Sequence, residues 1–380
     1  MNVQHYLQAK LSQSLFFNNR VIRAALFINL LLFAHSALAA GNRINFGADA
    51  WLEAGAGIRF DWTSIEDAAP NADDFSDDFT LDRADIFISG RANRFLEFTL
   101  NTTYNSITED FEVREGIIRY EHSDTLNIWA GRFMVPTDLS SLSTAFYQTR
   151  WFPVLGAFQR DEGVALWGSL DEGSFQYSLG VFDGFEIDSP ADAEESSLFA
   201  GRFRVNFWDP VSGYYTQSTY YGQKNILSVG VSVEFQSDAF KGPGPLGEVG
   251  DFQGVSADVL LEKAINDGMV LTVQGTAFSY DTDDIDGIFP QSDGFEIMGA
   301  VLLPVLSGDS VGGRVQPTVS LQSLELDVSD IEIDRIEFGI NYIMLGHHTK
   351  LSAAFANSDI DTPAGSDDFI SFLAGVQLIF

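Results

Sequence analysis

The last twelve residues of the chain, 369–380, read Phe-Ile-Ser-Phe-Leu-Ala-Gly-Val-Gln-Leu-Ile-Phe. Every second residue from position 372 onward is apolar, and the set is Phe372, Ala374, Val376, Leu378 and Phe380. A β-strand places successive side chains on opposite faces, so these five side chains share one face. The stretch therefore predicts a final strand with an apolar face that ends on an aromatic residue.

The same alternation recurs along the chain. In residues 44–62, an apolar face that includes Ile44 and Trp62 opposes a face that carries Asp49, Glu53 and Arg59. Applied throughout, the pattern predicts sixteen strands, at 44–62, 79–92, 95–106, 113–122, 125–135, 161–170, 175–183, 198–208, 225–236, 254–264, 269–280, 294–306, 314–326, 334–345, 349–358 and 369–380. Tight turns alternate with longer acidic connections, at 63–78, 185–197, 281–293 and 359–368. Only residues 209–224 form a long connection on the tight-turn side.

An even number of strands, with short turns at one end and long loops at the other, is typical of outer-membrane barrels. A secreted β-sandwich also alternates, but its polar face points to solvent. A β-helix would show a short fixed repeat, which the sequence lacks. The terminal stretch resembles the signal that the outer-membrane assembly machinery reads, so we predict that the apolar face 372–380 is an assembly signal. The predicted fold class is all-β, a transmembrane antiparallel β-barrel of 16 strands.

The N-terminal residues predict export. Lys10, Arg20 and Arg23 precede an apolar run, and Ala37-Leu38-Ala39 places small residues where a signal peptidase cleaves. We therefore expect a signal peptide at 1–39, a barrel domain at 40–380 and a location in the bacterial outer membrane. The net charge of −33 argues against a nucleic-acid partner. The absence of Cys excludes a disulfide scaffold and a thiolate metal site.

Four segments resemble the phosphate-selective porin O and P family: Leu81–Gly90, Leu126–Pro136, Arg160–Val164 and Tyr177–Gly184. They read LDRADIFISG, LNIWAGRFMVP, RDEGV and YSLGVFDG. The resemblance implies a sixteen-stranded, usually trimeric channel whose third extracellular loop folds into the pore. Anion-selective members have lumens rich in Lys and Arg, whereas this chain has only four Lys after residue 39. The resemblance therefore supports a pore more firmly than it supports phosphate as the solute.

The alternation also predicts which charges face the lumen. An Arg at mid-membrane on the lipid side costs about 2–4 kcal/mol, so mid-strand arginines are expected to face inward. By parity Arg132 falls on the lipid face, which places it near the extracellular rim or beyond a bulge. Segment 139–160 contains no acidic residue, and we expect 136–160 to be an infolded constriction loop rather than an ordinary extracellular loop. The predicted pore-lining and solute-binding residues are Arg83, Arg91, Arg119, Arg202 and Arg204 on strands, with Tyr147 and Arg150 on the loop.

These features predict an outer-membrane porin for passive diffusion of small hydrophilic solutes or ions, with a mild anion preference. We expect no cofactor, metal or catalytic residue, since the histidines after residue 39 (His122, His347 and His348) form no H-E-x-x-H motif. Two alternatives stay open: a structural or adhesive barrel without a channel, and a cation-preferring general porin. Expected partners are outer-membrane lipid, the assembly machinery and further copies in a homotrimer. Acidic runs 63–78 and 185–197 are either solvated loops or sites of cation bridging to lipopolysaccharide.

Overall fold

The computed structural model of the chain describes residues 43–70, 74–105, 110–151, 160–185, 196–211, 213–241, 248–265, 268–285, 291–305 and 312–380. The predicted signal peptide lies outside these residues. The helices among them are single 3-10 turns of three residues. No helix in the described ranges is long and apolar enough to cross a membrane.

Sixteen antiparallel strands form one closed sheet, as the sequence predicts. Each strand pairs with the next, and the last pairs with the first of the barrel, with Ile379 opposite Gly57 and Ser371 opposite Ile65. A two-residue strand, β1 (Ile44–Asn45), pairs with the start of β2. The barrel strands are β2 (Trp51–Ile65), β3 (Ser76–Asn93), β4 (Leu96–Asn105), β5 (Asp110–Ser123), β6 (Leu126–Met134), β7 (Arg160–Leu170), β8 (Phe175–Phe182), β9 (Leu198–Asn206), β10 (Ile226–Lys241), β11 (Val249–Ala264), β12 (Val270–Asp281), β13 (Ser292–Leu302), β14 (Arg314–Leu326), β15 (Ile331–Leu345), β16 (Thr349–Thr362) and β17 (Gly365–Ile379).

The alternation of the sequence becomes an outer and an inner wall. On β5, Ile118 is 61% exposed on the outer face while its neighbour Ile117 is 3% exposed inside. On β9, Phe203 and Val205 face outward, and Arg204 between them is buried in the lumen. An apolar outer wall around a polar interior suits a barrel that is surrounded by lipid.

Several predicted strand boundaries are wrong by a few residues; β10, for example, ends at Lys241 rather than at 236. The first predicted strand, 44–62, is interrupted after β1, because Gly47 adopts φ +125° and the chain folds back so that Phe46 N donates to Ala50 O (2.8 Å). The predicted loop 359–368 is instead a tall hairpin, because β16 runs to Thr362 and β17 begins at Gly365. Its acidic residues are exposed on paired strands, so the acidity there does not indicate a loop.

The connection between β9 and β10, residues 207–225, is long although it lies at the end of the barrel where turns are short. At the same end, β3 and β4 are joined by two residues, Arg94 and Phe95. The break in the pattern that the sequence shows at 209–224 is therefore real. The connection folds back into the lumen, and its buried residues are Val211, Tyr214, Thr216, Ser218 and Thr219.

Candidate functional site: the lumen of the barrel

The connection between β6 and β7 enters the lumen beside β9 and β11. We call its described residues, 135–151, the third-loop segment. Arg202 on β9 donates from Nη1 to Thr137 O (2.8 Å), and Asp258 Oδ2 on β11 accepts from Leu139 N (3.2 Å). One strongly bound pair of wall residues therefore holds the backbone where the segment begins.

Asp138 shapes the first turn of the third-loop segment. Its Oδ1 accepts from the backbone N–H groups of Ser140 (2.7 Å) and Ser141 (3.0 Å), and its Oδ2 accepts from Ser141 Oγ (2.7 Å). Asp side chains bond in this way to the backbone that follows them in turns. The carboxylate thus supplies hydrogen-bond acceptors to the backbone after it leaves the strand ladder at Met134.

The far end of the segment is held by the opposite wall. A buried loop would otherwise carry unsatisfied carbonyl groups, which cost free energy in a water-excluded interior. Side chains from four strands donate to these carbonyls: Arg59 to Ala145 O (2.8 Å) and Trp151 O (2.9 Å), Lys350 to Gln148 O (2.8 Å), Gln377 to Phe146 O (2.9 Å) and Asn341 to Thr149 O (2.9 Å). The third-loop segment therefore crosses the lumen from β9 and β11 to β15, β16, β17 and β2.

Two glycines make room for the aromatic side chains of the segment. A Cβ atom at Gly57 would lie 2.5 Å from Phe146 Cζ, and one at Gly375 would lie 2.6 Å from the Trp151 ring. Both glycines face inward, on the neighbouring strands β2 and β17. The barrel wall is therefore shaped to receive the segment.

Arg150 lies in the third-loop segment and forms an ion pair with Glu296 on β13. Both side chains are about 1% exposed. Glu296 also accepts from Ser140 Oγ (3.4 Å) at the start of the segment. An ion pair this deeply buried neutralises both charges, so Arg150 acts on the loop rather than on water in the lumen.

Aromatic side chains fill the lumen beside β5 to β8. The Trp129 ring stacks on Tyr214 with centroids 4.8 Å apart, and Phe133 packs edge-on against Phe182 at 5.3 Å. Trp167 meets Trp129 at 5.6 Å. This part of the inner wall is therefore apolar.

The strand arginines that the sequence predicts to face inward do so, but in two different environments. Arg91 and Arg119 both contact Glu97 and are 40% and 19% exposed at the side chain. Arg83 is half-buried on β3, eight residues before Arg91 and opposite Arg59 on β2. Arg202 and Arg204 are buried and donate to protein acceptors. Of the five predicted strand arginines, those that reach water therefore lie on β3 and β5.

Tyr147 is half-buried in the third-loop segment. Its ring meets the edge of His347, with centroids 5.0 Å apart. His347 lies in the turn between β15 and β16, and its Nε2 donates to Thr219 O (2.9 Å) in the 207–225 connection. Tyr147 thus contributes to the contact between the two infolded segments.

The predicted assembly face lies on the outer wall. Phe372 and Phe380 are exposed, the three residues between them on that face are half-buried, and Phe380 exchanges backbone hydrogen bonds with Ala56 (2.8 and 2.9 Å). Arg132, which parity places on the lipid side, pairs with Glu162 (2.7 Å), and both side chains are exposed. The outer-surface position of Arg132 is therefore stabilised by an opposite charge.

Several lumen residues were missed by the sequence reasoning. Asp258 and Glu262 share the inner face of β11, a signal that parity alone could have given. The 13 residues 211–223 contain no charged side chain, as segment 139–160 contains no acid, and this too indicates burial. Nothing in the sequence around Arg59 and Lys350 distinguishes these two loop-binding residues from the other basic residues.

Residues 308–312 read Gly-Asp-Ser-Val-Gly, which has the G-x-S-x-G spacing of a nucleophile elbow, and 308–311 lie outside the described residues. Within the described ranges, no group of three or more His, Asp or Glu side chains is placed to hold a metal ion.

No known family model matches the chain, and no curated protein matches it in sequence. Solved structures with a similar fold exist. The anion-selective porin from Comamonas acidovorans has a TM-score of 0.57 and 15% identity, covering 87% of this chain and 100% of the porin. The outer-membrane channel DcaP of Acinetobacter baumannii has a TM-score of 0.53 and 14% identity, covering 90% and 100%. OmpT of Vibrio cholerae in its trimer form has a TM-score of 0.55 and 14% identity, covering 88% and 100%.

At these identities the likeness shows the fold alone. The chain has the fold of outer-membrane porins, and the resemblance to the phosphate-selective porin O and P family stays a prediction.

Proposed function

We propose that the chain is a porin of the bacterial outer membrane, a passive diffusion channel for small hydrophilic solutes or ions. The observation that carries the proposal is the polarity of the closed sheet, which is apolar on the outside and polar on the inside, the reverse of a water-soluble protein. Its outer wall is apolar, as Ile118 and Val231 illustrate, while charged residues such as Arg119 and Glu121 stand on the inner wall. A barrel in lipid keeps polar side chains inside to line an aqueous space, and the third-loop segment narrows that space.

The proposed solute preference is mildly anionic. This preference rests on Arg83, Arg91 and Arg119, because their side chains keep contact with water. Arg150 does not contribute, because Glu296 neutralises its charge. Glu97 contacts two of these arginines and reduces their field. Selectivity depends on the few charges at the narrowest point rather than on net charge. We therefore expect a preference weaker than that of a lumen lined by unpaired Lys and Arg.

Planar-bilayer recording tests the proposal. The purified, refolded chain should give discrete conductance steps, and reversal potentials in asymmetric KCl should indicate modest selectivity for chloride. Strong selectivity for potassium would favour the cation-preferring general porin. A folded, heat-modifiable barrel that gives no steps would favour a structural or adhesive barrel.

We propose a homotrimer as the assembled state. The family resemblance implies one, and one of the similar structures is that of a trimer form of OmpT. Chemical crosslinking of the native membrane protein followed by gel electrophoresis tests this proposal. A ladder that ends at three subunits is expected, and a single monomer band would contradict it.

Lipopolysaccharide is the lipid partner that we propose for the outer rim. Asp293, Glu325, Glu332 and Asp361 lie directly opposite one another on four successive strands. Like charges at such positions repel each other, and divalent cations shared with lipid phosphates would relieve the repulsion. Lipopolysaccharide should raise the melting temperature of the barrel with Mg²⁺ present, and it should lose this effect when EDTA is added.

A further inference from the structure

We propose that the β9–β10 segment, residues 207–225, is a second constriction element that fills the lumen from the end opposite the third-loop segment. The described part comprises 207–211 and 213–225. This inference rests on the proposed channel function and deepens it, because it names a second determinant of pore width. Three sets of contacts carry it: a closed stem, anchors on the wall and a shared surface with the third-loop segment.

The strand ladder closes before the segment departs from it. Asp209 N donates to Asn225 O (2.9 Å), and Asn225 N donates to Asp209 Oδ2 (2.7 Å). Lys224 Nζ donates to Pro210 O (2.7 Å) just beyond them. A tight turn would suffice to join β9 and β10 at this point, so residues 211–223 are not needed to connect the strands.

Residues 211–223 are fixed to the inner wall at several points. Glu262 on β11 accepts from Thr219 Oγ1 (2.7 Å), Tyr220 N (2.8 Å) and Gly222 N (2.7 Å), and it is fully buried. Arg204 on β9 donates to Val211 O (2.8 Å). A carboxylate that accepts three hydrogen bonds in a water-excluded site is a strong anchor, because bonds to charged groups are the stronger class.

Further wall contacts come from both sides of the lumen. Gln176 on β8 donates to Gly213 O (2.7 Å), and His347 donates to Thr219 O (2.9 Å). The Tyr221 and His347 rings are 4.7 Å apart. The segment therefore extends across the lumen from β8 and β9 towards the turn after β15.

The β9–β10 segment also forms a shared surface with the third-loop segment. Thr216 donates from its N–H to Leu142 O (3.2 Å) and from Oγ1 to Leu139 O (3.2 Å). Thr149 N donates to Ser218 Oγ (2.7 Å). Each segment thus satisfies polar backbone groups of the other, and the two pack as one unit inside the barrel.

The consequence is a lumen narrowed from both ends. The charges of the inner wall that face the two segments, such as Arg202 and Glu262, are buried, whereas Arg91 and Arg119 on β3 and β5 are not. Removing the β9–β10 segment should open the side of the lumen that it fills and leave the strand pairing intact.

The test replaces residues 211–223 by a short Gly-Ser turn across the closed stem. The shortened, heat-modifiable barrel should conduct about twofold more than the unaltered chain and should pass larger neutral sugars in a liposome-swelling assay. Equal conductance and an equal size limit would overturn the inference. If the unaltered chain is silent and the shortened chain conducts, the inference stands while the proposed open channel fails. If both are silent, the inference fails as well.

Two further variants keep the test decisive if the shortened chain does not fold. Glu262→Ala removes the main anchor and should raise conductance, whereas Glu162→Ala, the same change on the outer surface, should not. Thr149→Cys combined with Ser218→Cys should form a disulfide when a thiol oxidant is added, since the side-chain oxygens are 2.7 Å apart and the chain has no other Cys. Failure of the pair to crosslink would overturn the placement of the segment, and unchanged conductance in Glu262→Ala would overturn its role.

Discussion

Arg202 donates two hydrogen bonds to the carboxylate of Asp258, from Nη1 to Oδ2 (2.5 Å) and from Nη2 to Oδ1 (2.9 Å). Both side chains are buried in the lumen, and each also bonds the backbone of the third-loop segment. The pair therefore holds the start of the loop, and its charges cancel. An arginine that the sequence assigns to solute contact is engaged in this structure in holding the loop.

We expect Asp258→Asn to destabilise the barrel by about 3 kcal/mol, because it leaves the Arg202 charge buried without its partner. Denaturant unfolding of the barrel in lipid vesicles measures the change. The matched control is Glu162→Gln, which breaks the exposed pair with Arg132 and should cost less than about 1 kcal/mol. Equal losses in the two variants would mean that the buried pair is not the anchor of the loop.

His347 should make stability depend on pH. Its burial lowers its pKa to about 4, and the nearby positive charges of Lys350 and His348 act in the same direction. Because the pKa of His in the unfolded chain is about 6.5, the unfolded state takes up the proton first as the pH falls. The contribution of His347 is therefore full above pH 6.5 and is lost towards pH 4, by at most about 3 kcal/mol.

The measurement compares melting temperatures between pH 7 and pH 4.5. His347→Gln should reduce the loss of stability on acidification, because the contacts of His347 with Tyr147 and Tyr221 no longer depend on a neutral imidazole. His348→Gln, a change at the exposed neighbour, should retain most of the slope of the unaltered chain, because the burial of His347 is unchanged. Identical slopes in all three proteins would rule out His347 as the group responsible.

Gly57 and Gly375 should be sensitive to the addition of a methyl group. We expect Gly57→Ala and Gly375→Ala to displace the Phe146 and Trp151 rings at a cost of about 1–3 kcal/mol, as overpacking does in other interiors. Limited proteolysis should then cut the third-loop segment faster. Gly299→Ala is the control, since its new Cβ would meet only Val319 Cγ1 at 3.7 Å. Equal proteolysis rates would show that the loop does not rely on these two positions.

The strands could be predicted from the sequence because their signal is local. Phe203, Arg204 and Val205 show their opposite faces by simple alternation, and lipid enforces that alternation from outside. The lumen could not be predicted as well, because its pairs are distant in the chain. Arg150 and Glu296 are far apart in sequence, and nothing near either residue indicates that they meet.

The β9–β10 segment illustrates the same limit. Its length and its lack of charge mark it as unusual, but whether it enters the lumen depends on acceptors such as Glu262, which lies on another strand. The length of the acid-free stretch 139–160 and a family resemblance predict that it folds inward. Its inward turn is explained by Asp138, the residue immediately before the acid-free stretch, because the carboxylate of Asp138 holds the first turn.

Phe380 should matter for assembly. Its backbone closes the barrel against Ala56, and its ring is exposed on the outer wall. We expect Phe380→Asp, or deletion of the residue, to reduce the amount of heat-modifiable barrel in outer-membrane fractions severalfold, because a charge would then end an apolar face. Phe380→Tyr keeps an aromatic ring and should assemble normally. Normal assembly of Phe380→Asp would mean that the assembly machinery does not recognise the apolar face at 372–380.

The last prediction concerns selectivity and separates exposed from buried arginines. Arg91→Glu with Arg119→Glu should shift the reversal potential towards cations, because both side chains reach water on the inner wall and Glu97 would lose its counter-charges. Arg132→Glu makes the same kind of charge reversal on the outer surface and should leave the reversal potential unchanged at physiological salt, where the Debye length is about 8 Å. The acidic residues of the outer rim attract cations and so oppose the arginines. Raising the KCl concentration should weaken this attraction by screening. If the double variant keeps the reversal potential of the unaltered chain, the field at the narrowest point is set by other groups, and the arginines of β3 and β5 only pair with their neighbours.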